Sequence, residues 1–192
     1  MIESDPWLTP WLPRIRDLSP RAPVLELGSG GGRDTATLCA AGLAVVAADI
    51  ARPSLQRAAE KARGVAVVQL DLGEPLPFRM TSFRVVVASL SLHYFSWYRT
   101  ARAVDEIARC LRPGGLLLAR FNSTKDVNHG AGVGDEIEPH LFRVGTTEKR
   151  FFDRADVVAL LAGWRIEHLA ERTIQRYEQP KVVWEVAAIG DR

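Results

Sequence analysis

Glu26, Gly28, Gly30 and Gly32 recur at every second position in the run Val24-Leu25-Glu26-Leu27-Gly28-Ser29-Gly30-Gly31-Gly32-Arg33-Asp34. An apolar strand that runs into glycines and then opens a helix lets a ligand lie against bare main chain. Glycine tolerates positive φ and carries no Cβ to hold the ligand away. A dinucleotide fingerprint would need glycine or alanine at its third place, for close helix–sheet packing, and that place holds the bulky, charged Arg33. No Gly-Lys-Ser/Thr follows the turn, which excludes a P-loop. The acid just before the turn suits a cationic ligand better than a pyrophosphate. Two more acids close apolar runs. Asp49 stands where a carboxylate can accept both hydroxyls of a ribose, and Asp71, with Leu72, stands where a side chain meets the edge of a base. Each acid alone is more often a solvated strand end or a helix cap. Three of them beside a glycine loop point to an adenosine-bearing ligand and leave NAD and S-adenosylmethionine both open.

The elements that must position these residues follow from the apolar pattern. Residues 23–27, 44–49, 65–70, 83–89 and 115–121 are near-continuous in apolar residues, as strands covered on both faces are. Between them, 33–41, 53–63 and 99–111 have helical spacing, so the order predicts right-handed crossovers and a doubly wound parallel sheet, an α/β fold. A helix at about 153–161 precedes two β-like segments, 164–174 and 181–189, whose short connection through Gln179-Pro180 makes a hairpin with at least one reversed strand. A length of 192 residues fits one domain, 1–192, and a net charge of +2 gives no general attraction to nucleic acid or to an anionic membrane. The acidic start before Pro6 is unlike a signal peptide, and the apolar runs 85–90 and 116–119 are too short to cross a bilayer. Cys39 and Cys110 lack a CxxC partner and read as inert thiols of a reducing compartment, so a cytoplasmic protein is expected. The histidines at 93, 129, 140 and 168 lack ligand spacing, and no metal is expected. Nothing in the sequence sets an oligomeric state.

Taken in order, ELGSGGGRDT, AADIA, QLDL, VVVASLSLHYF and LRPGG resemble the motif set of the class I S-adenosylmethionine-dependent methyltransferases, over roughly residues 22–121. The resemblance implies a Rossmann-like, mostly parallel seven-stranded sheet ending in an antiparallel hairpin. It also implies S-adenosylmethionine as cofactor and methyl transfer to a small-molecule acceptor. Glu26 would then lie near the methionine amine, and Gly28, Ser29, Gly30, Gly32 and Arg33 would line the methionine part. Asp49 would bind the ribose, Ile50 would pack on the adenine, Asp71 and Leu72 would border it, and Ser89 would sit beneath the sulfonium. The Gly-Arg-Asp ending of the loop and the short chain are similar to the small tellurite-resistance-type methyltransferases. The Asn/Asp-Pro-Pro-Tyr/Phe of the DNA-methylating branch is replaced by Ser89-Leu90-Ser91-Leu92-His93-Tyr94, and no Lys/Arg stripe with interleaved aromatics appears. A nucleic-acid partner is therefore not expected. An NAD-dependent oxidoreductase and a non-catalytic adenosyl-binding module stand as alternatives.

In an open α/β sheet the ligand crevice lies beyond the carboxyl ends of the strands. Displacement at a sulfonium needs an oriented acceptor, a dry site and, for some acceptors, a base. His93 and Tyr94 follow the fourth strand and are candidates for that base or orienting group; the plainer reading is a half-buried pair packing the crevice wall. Residues 122–150 form a long polar stretch without a clear period, either an acceptor-side lid or a solvated loop. As a lid it could hold an anionic acceptor through Lys125, His129, Arg143 or Arg150. Residues 1–20 suggest a short helix or lid capped at Ser4 or Asp5, with Trp7 and Trp11 able to cover the cofactor or simply to pack.

Overall fold

A computed structural model describes residues 6–175 and 178–190, so the expected cap at Ser4 or Asp5 lies outside the described residues. The apolar runs become strands and the amphipathic runs become helices. In chain order they are α1 (Leu12–Leu18), β1 (Val24–Leu27), α2 (Arg33–Ala40), β2 (Val45–Asp49), α3 (Arg52–Lys61), β3 (Ala66–Gln69), β4 (Phe83–Ser89), α4 (Trp97–Cys110) and β5 (Leu111–Asn122). The chain continues through β6 (Asp135–Glu138), β7 (Leu141–Val144), β8 (Thr147–Arg150), α5 (Arg154–Leu160), β9 (Trp164–Ile174) and β10 (Lys181–Gly190). One sheet has seven strands in the order β3-β2-β1-β4-β5-β10-β9. The first five pair in parallel, and β10 is antiparallel to both β5 and β9. The reversed strand is thus β10, slotted between β5 and β9.

Both faces of the central strands are buried, which is why β1 and β4 read as unbroken apolar runs. On one face α4 turns Thr100, Ala103, Val104, Ile107 and Cys110 inward, against a core that includes Phe121, Phe152 and Val186. Those inward positions recur every three or four residues, the stripe an amphipathic helix presents to a core. On the other face Trp7, Ile15 and Leu38 pack over Val85 and Leu116. The N-terminal segment is fastened there: Trp7 Nε1 donates to Asp34 at 3.2 Å, and Arg14 pairs with Glu167 of β9.

Two expectations are corrected. Strand β3 is not covered on both faces: it is the sheet edge, and Val67 remains 43% exposed. Residues 122–150 are not irregular throughout, because β6, β7 and β8 form a three-stranded antiparallel sheet. Its strands are short and largely solvated, with pairs such as Asp135 opposite Arg143 and Phe142 opposite Lys149, so hydrophobic alternation gave no signal. A buried ion pair anchors the chain between β5 and this sheet. Asp126 accepts from Lys181 Nζ at 2.5 Å and from the Val182 N–H at 3.0 Å, tying the exit of β5 to the start of β10. No helix among the described residues is long and apolar enough to cross a membrane.

Phe121 is fully buried, with its ring centroid 4.9 Å from that of Phe152, where α5 closes over β5. Phe121→Ala leaves a cavity between sheet and helix and should destabilise the protein by about 3–5 kcal/mol. Urea unfolding followed by far-UV circular dichroism measures this, and a loss below 1 kcal/mol would mean that α5 collapses freely onto the sheet.

Candidate active site

The parallel strands all end on one edge of the sheet, and a cleft of about 550 Å3 opens there, where the strand order reverses between β1 and β4. Gly28 and Gly30 supply one wall, Asp49 and Ile50 the end of β2, and Leu70, Asp71 and Leu72 the end of β3. The segment after β4 adds Leu90, Ser91, Tyr94 and Phe95, and the first turn of α4 adds Arg99.

The glycine turn is built by main-chain bonds to β2. The N–H groups of Gly28 and Ser29 both donate to the Ala48 carbonyl, at 2.8 and 2.9 Å. Gly30 N–H then donates to Asp49 Oδ2 at 2.8 Å, and Ala51 N–H to Asp49 Oδ1 at 2.8 Å. Two backbone donors therefore fix the Asp49 carboxylate, and each oxygen keeps a second lone pair for a ligand in the cleft. Gly28 has φ 73°, and a Cβ there would stand 2.3 Å from that of Ser91. Gly32 has φ 72°, and its Cβ would stand 2.5 Å from Ala58 Cα. Gly30, by contrast, faces open space.

Glu26 is buried at the end of β1 and accepts from Thr35 Oγ1 at 2.5 Å. Ser29 Oγ and Arg33 Nη1 are buried with no hydrogen-bond partner among the described residues. Ser89 Oγ accepts from Arg120 Nε at 2.9 Å, and the Arg120 guanidinium lies 4.5 Å from the Trp7 ring centroid. Glu26, Ser29, Gly32, Arg33 and Ser89 do not line the cleft itself. Asp71 does, with Oδ1 held by the Gly73 N–H at 2.7 Å, and Ile50 projects, exposed, from the end of β2.

On the β4 side, Tyr94 reaches the cleft while His93 is buried behind it, their ring centroids 4.0 Å apart. His93 Nδ1 has no hydrogen-bond partner among the described residues. Burial, and then the positive charges of Lys149 and Lys181, push the His93 pKa well below its ordinary 6.5, so its ring is uncharged at neutral pH. Lys125 and His129 do not line this cleft. Lys125 pairs with Glu171 at 2.5 Å, and His129 Nδ1 hydrogen-bonds Asp126 at 2.9 Å. Arg143 is taken by Glu148 at 2.6 Å.

Arg150 joins the small sheet to the cleft wall. Its backbone N–H donates to the His93 carbonyl at 2.7 Å, Nε to the Phe95 carbonyl at 3.1 Å and Nη1 to the Pro139 carbonyl at 2.9 Å, while Nη2 pairs with Glu138. Glu138 also accepts the Trp97 N–H at 2.8 Å, so one carboxylate holds both the guanidinium and the start of α4. Leu70, Leu90, Ser91, Phe95 and Arg99 line the cleft without being expected site residues. Leu90 takes φ 56°, a turn no residue type announces in advance, and Arg99 reaches the cleft only because α4 begins at Trp97.

Residues 24–115 match the family described as a methyltransferase domain. The likeness to methyltransferase domains thus rests on just under half of the chain, the part that holds β1 to β4 and the glycine turn. An uncharacterised methyltransferase of Mycobacterium tuberculosis is 37% identical over 107 residues, 56% of this chain and 42% of that protein. The matched stretch thus spans less than half the length of that curated relative. An S-adenosylmethionine-dependent methyltransferase of Methanosarcina mazei superposes with a TM-score of 0.76 at 18% identity, over 92% of this chain and 96% of that one. The magnesium protoporphyrin IX methyltransferase of Synechocystis, with S-adenosylhomocysteine bound, gives 0.69 at 19% identity, over 95% and 80%. The cleft fits S-adenosylmethionine on its own features. Gly30 leaves open space along the turn, the Asp49 carboxylate is fixed at the end of β2, and the buried Ser91 hydroxyl has no partner among the described residues.

Above pH 6.5 His93 carries the same charge folded or unfolded; below it, the unfolded chain takes up a proton that the buried ring refuses. Stability should therefore fall as pH drops below 6.5. His168, whose pKa burial and Arg172 also push down, adds to the same slope. Urea unfolding across this window should show a shallower slope in His93→Gln. The same slope in both proteins would mean that the proton is taken up elsewhere.

Proposed function

We propose that this protein transfers a methyl group from S-adenosylmethionine to a small-molecule acceptor and acts in the cytoplasm. The observation that carries the reading is the fixed Asp49 carboxylate beside the open Gly30 wall, within the segment that matches the methyltransferase-domain family. Asp49 accepts the ribose hydroxyls, Ile50 covers one face of the adenine, and Asp71 with Leu72 borders its edge. Gly28 and Gly30 leave the main chain bare along the methionine part, with Glu26, Ser29 and Arg33 behind it and Ser89 near the sulfonium end. When bound, S-adenosylmethionine supplies a methyl group on a sulfonium, which an acceptor atom displaces in line.

Tyr94 orients the acceptor from the cleft wall, and His93 behind it is the candidate to receive a proton from an acidic acceptor such as a thiol. Residues 122–150 contribute a fixed acceptor-side wall held by Arg150, with Lys125 and His129 serving their ion pairs rather than the acceptor. Carboxylates, hydroxyls, thiols and chalcogen oxyanions are the acceptor classes this chemistry serves. The free Cys39 and Cys110 support a reducing compartment.

Calorimetric titration with S-adenosylhomocysteine, with NAD run in parallel, tests the cofactor assignment. Micromolar binding of the first alone is expected. Asp49→Ala should weaken that binding by at least about tenfold, as expected for lost hydrogen bonds to a charged group at about 1.5–3 kcal/mol. Binding of NAD alone, or an Asp49→Ala protein with unchanged affinity, would overturn the ribose site and the reading built on it. Turnover of labelled methyl donor over an acceptor panel separates the enzyme from a non-catalytic adenosyl-binding module.

A further inference from the structure

Arg99 occupies a place that the stability of its helix does not explain. It is the third residue of α4, whose first turn holds no acid, and its backbone N–H is capped by Ser96 Oγ at 3.4 Å. A cation there faces the positive end of the helix dipole, which favours anions. Arg99 forms no ion pair among the described residues. Its guanidinium instead lies over the Phe95 ring, 5.2 Å from the centroid, and lines the cleft.

Gly73 makes that position possible. Its φ is outside the left-handed region, so the backbone does not require glycine there. A Cβ on Gly73 would stand 2.1 Å from Arg99 Nη2, 2.9 Å from Cζ and 3.2 Å from Asp71 Oδ1. The missing side chain is thus the space that the guanidinium fills, directly beside the Asp71 carboxylate. Asp71 spends Oδ1 on the Gly73 N–H, and Oδ2 makes no hydrogen bond among the described residues. A planar donor fork and an acceptor oxygen stand side by side at one end of the cleft, above the loop that follows β3.

We infer that Arg99 reads the adenine, its guanidinium donating to a ring nitrogen next to the exocyclic amino group that faces the Asp71 carboxylate. This rests on the reading of the cleft as an S-adenosylmethionine site. Adenine offers that donor next to that acceptor, and a guanidinium presents its donors in a fixed plane that suits a flat ring. Phe95 holds the guanidinium by a cation–π contact, so the fork is set before the ligand arrives. The pair is a specificity device for the base, separate from the Asp49 contact to the ribose.

The test compares two ligands that differ only in the base: S-adenosylhomocysteine and S-ribosylhomocysteine, which lacks the adenine. Calorimetry, with competition for the weaker ligand, reads both affinities in wild type, Arg99→Ala, Arg99→Lys and Gly73→Ala. Arg99→Ala should lose about tenfold in affinity for S-adenosylhomocysteine and nothing for S-ribosylhomocysteine. Gly73→Ala keeps Arg99 but evicts its guanidinium, so it should copy that loss, and the double variant should be no weaker than either single one. Arg99→Lys, which keeps the charge but not the fork, should recover only part of the affinity. Equal losses for both ligands, or full affinity in Arg99→Ala, would overturn the inference while leaving the cofactor assignment standing. Wild-type protein that takes up no S-adenosylhomocysteine would instead remove the proposed function, and the role of Arg99 with it.

Discussion

At Gly28 and Gly32 the main chain passes so close to Ser91 and to Ala58 that a methyl group at either position would overlap its neighbour. That closeness sets the spacing of three layers at once. Gly28 brings β1 against the segment leaving β4, and Gly32 seats the start of α2 on α3. With both contacts made, the turn between them is short enough for its N–H groups to reach the Ala48 carbonyl and the Asp49 carboxylate. Asp49 is held by the turn it helps to hold. A side chain at either glycine would push the turn away and leave the carboxylate without its Gly30 donor, so packing and ligand geometry are a single constraint here.

The opposite wall depends on buried charge. Arg150 and the Asp126–Lys181 pair are almost wholly removed from water, which costs each ion several kcal/mol before any partner is counted. Such groups contribute little net stability compared with well-packed apolar side chains, but each tolerates only an arrangement that satisfies it. Arg150 is satisfied only where the carbonyls of Phe95 and Pro139 and the carboxylate of Glu138 converge. The small sheet is therefore pinned to the segment that carries Tyr94 and Phe95 into the cleft.

The doubly wound part was legible because its information is local. Unbroken apolar runs mark strands buried on two faces, and the glycines and acids at their ends mark the cofactor wall; β4 and β9 fall where the pattern placed them. Strand β3 broke the rule, since an edge position depends on topology and its residues look like those of β2. The segment 122–150 was opaque for another reason: β6 to β8 are held by cross-strand ladders and one buried arginine, and neither leaves a period in the sequence. For the same reason Lys125 and His129, polar and well placed along the chain, looked like acceptor ligands, whereas the fold gives them Glu171 and Asp126. Arg99 and Gly73 lie far apart in sequence, and only the crossover through β4 makes them neighbours.

The electrostatics of the acceptor side narrow the chemistry of the proposed reaction. Lys149, half-buried and bonded to the His129 carbonyl at 2.7 Å, has its own pKa pushed down by burial and by Lys181. Burial first, and then the two ammonium groups, keep the His93 ring neutral and make it a weak base. A weak base does little for an alcohol, whose proton is held far more tightly. An ionised carboxylate or thiolate needs no base at all, only orientation, the role proposed for Tyr94 on the segment that Arg150 holds.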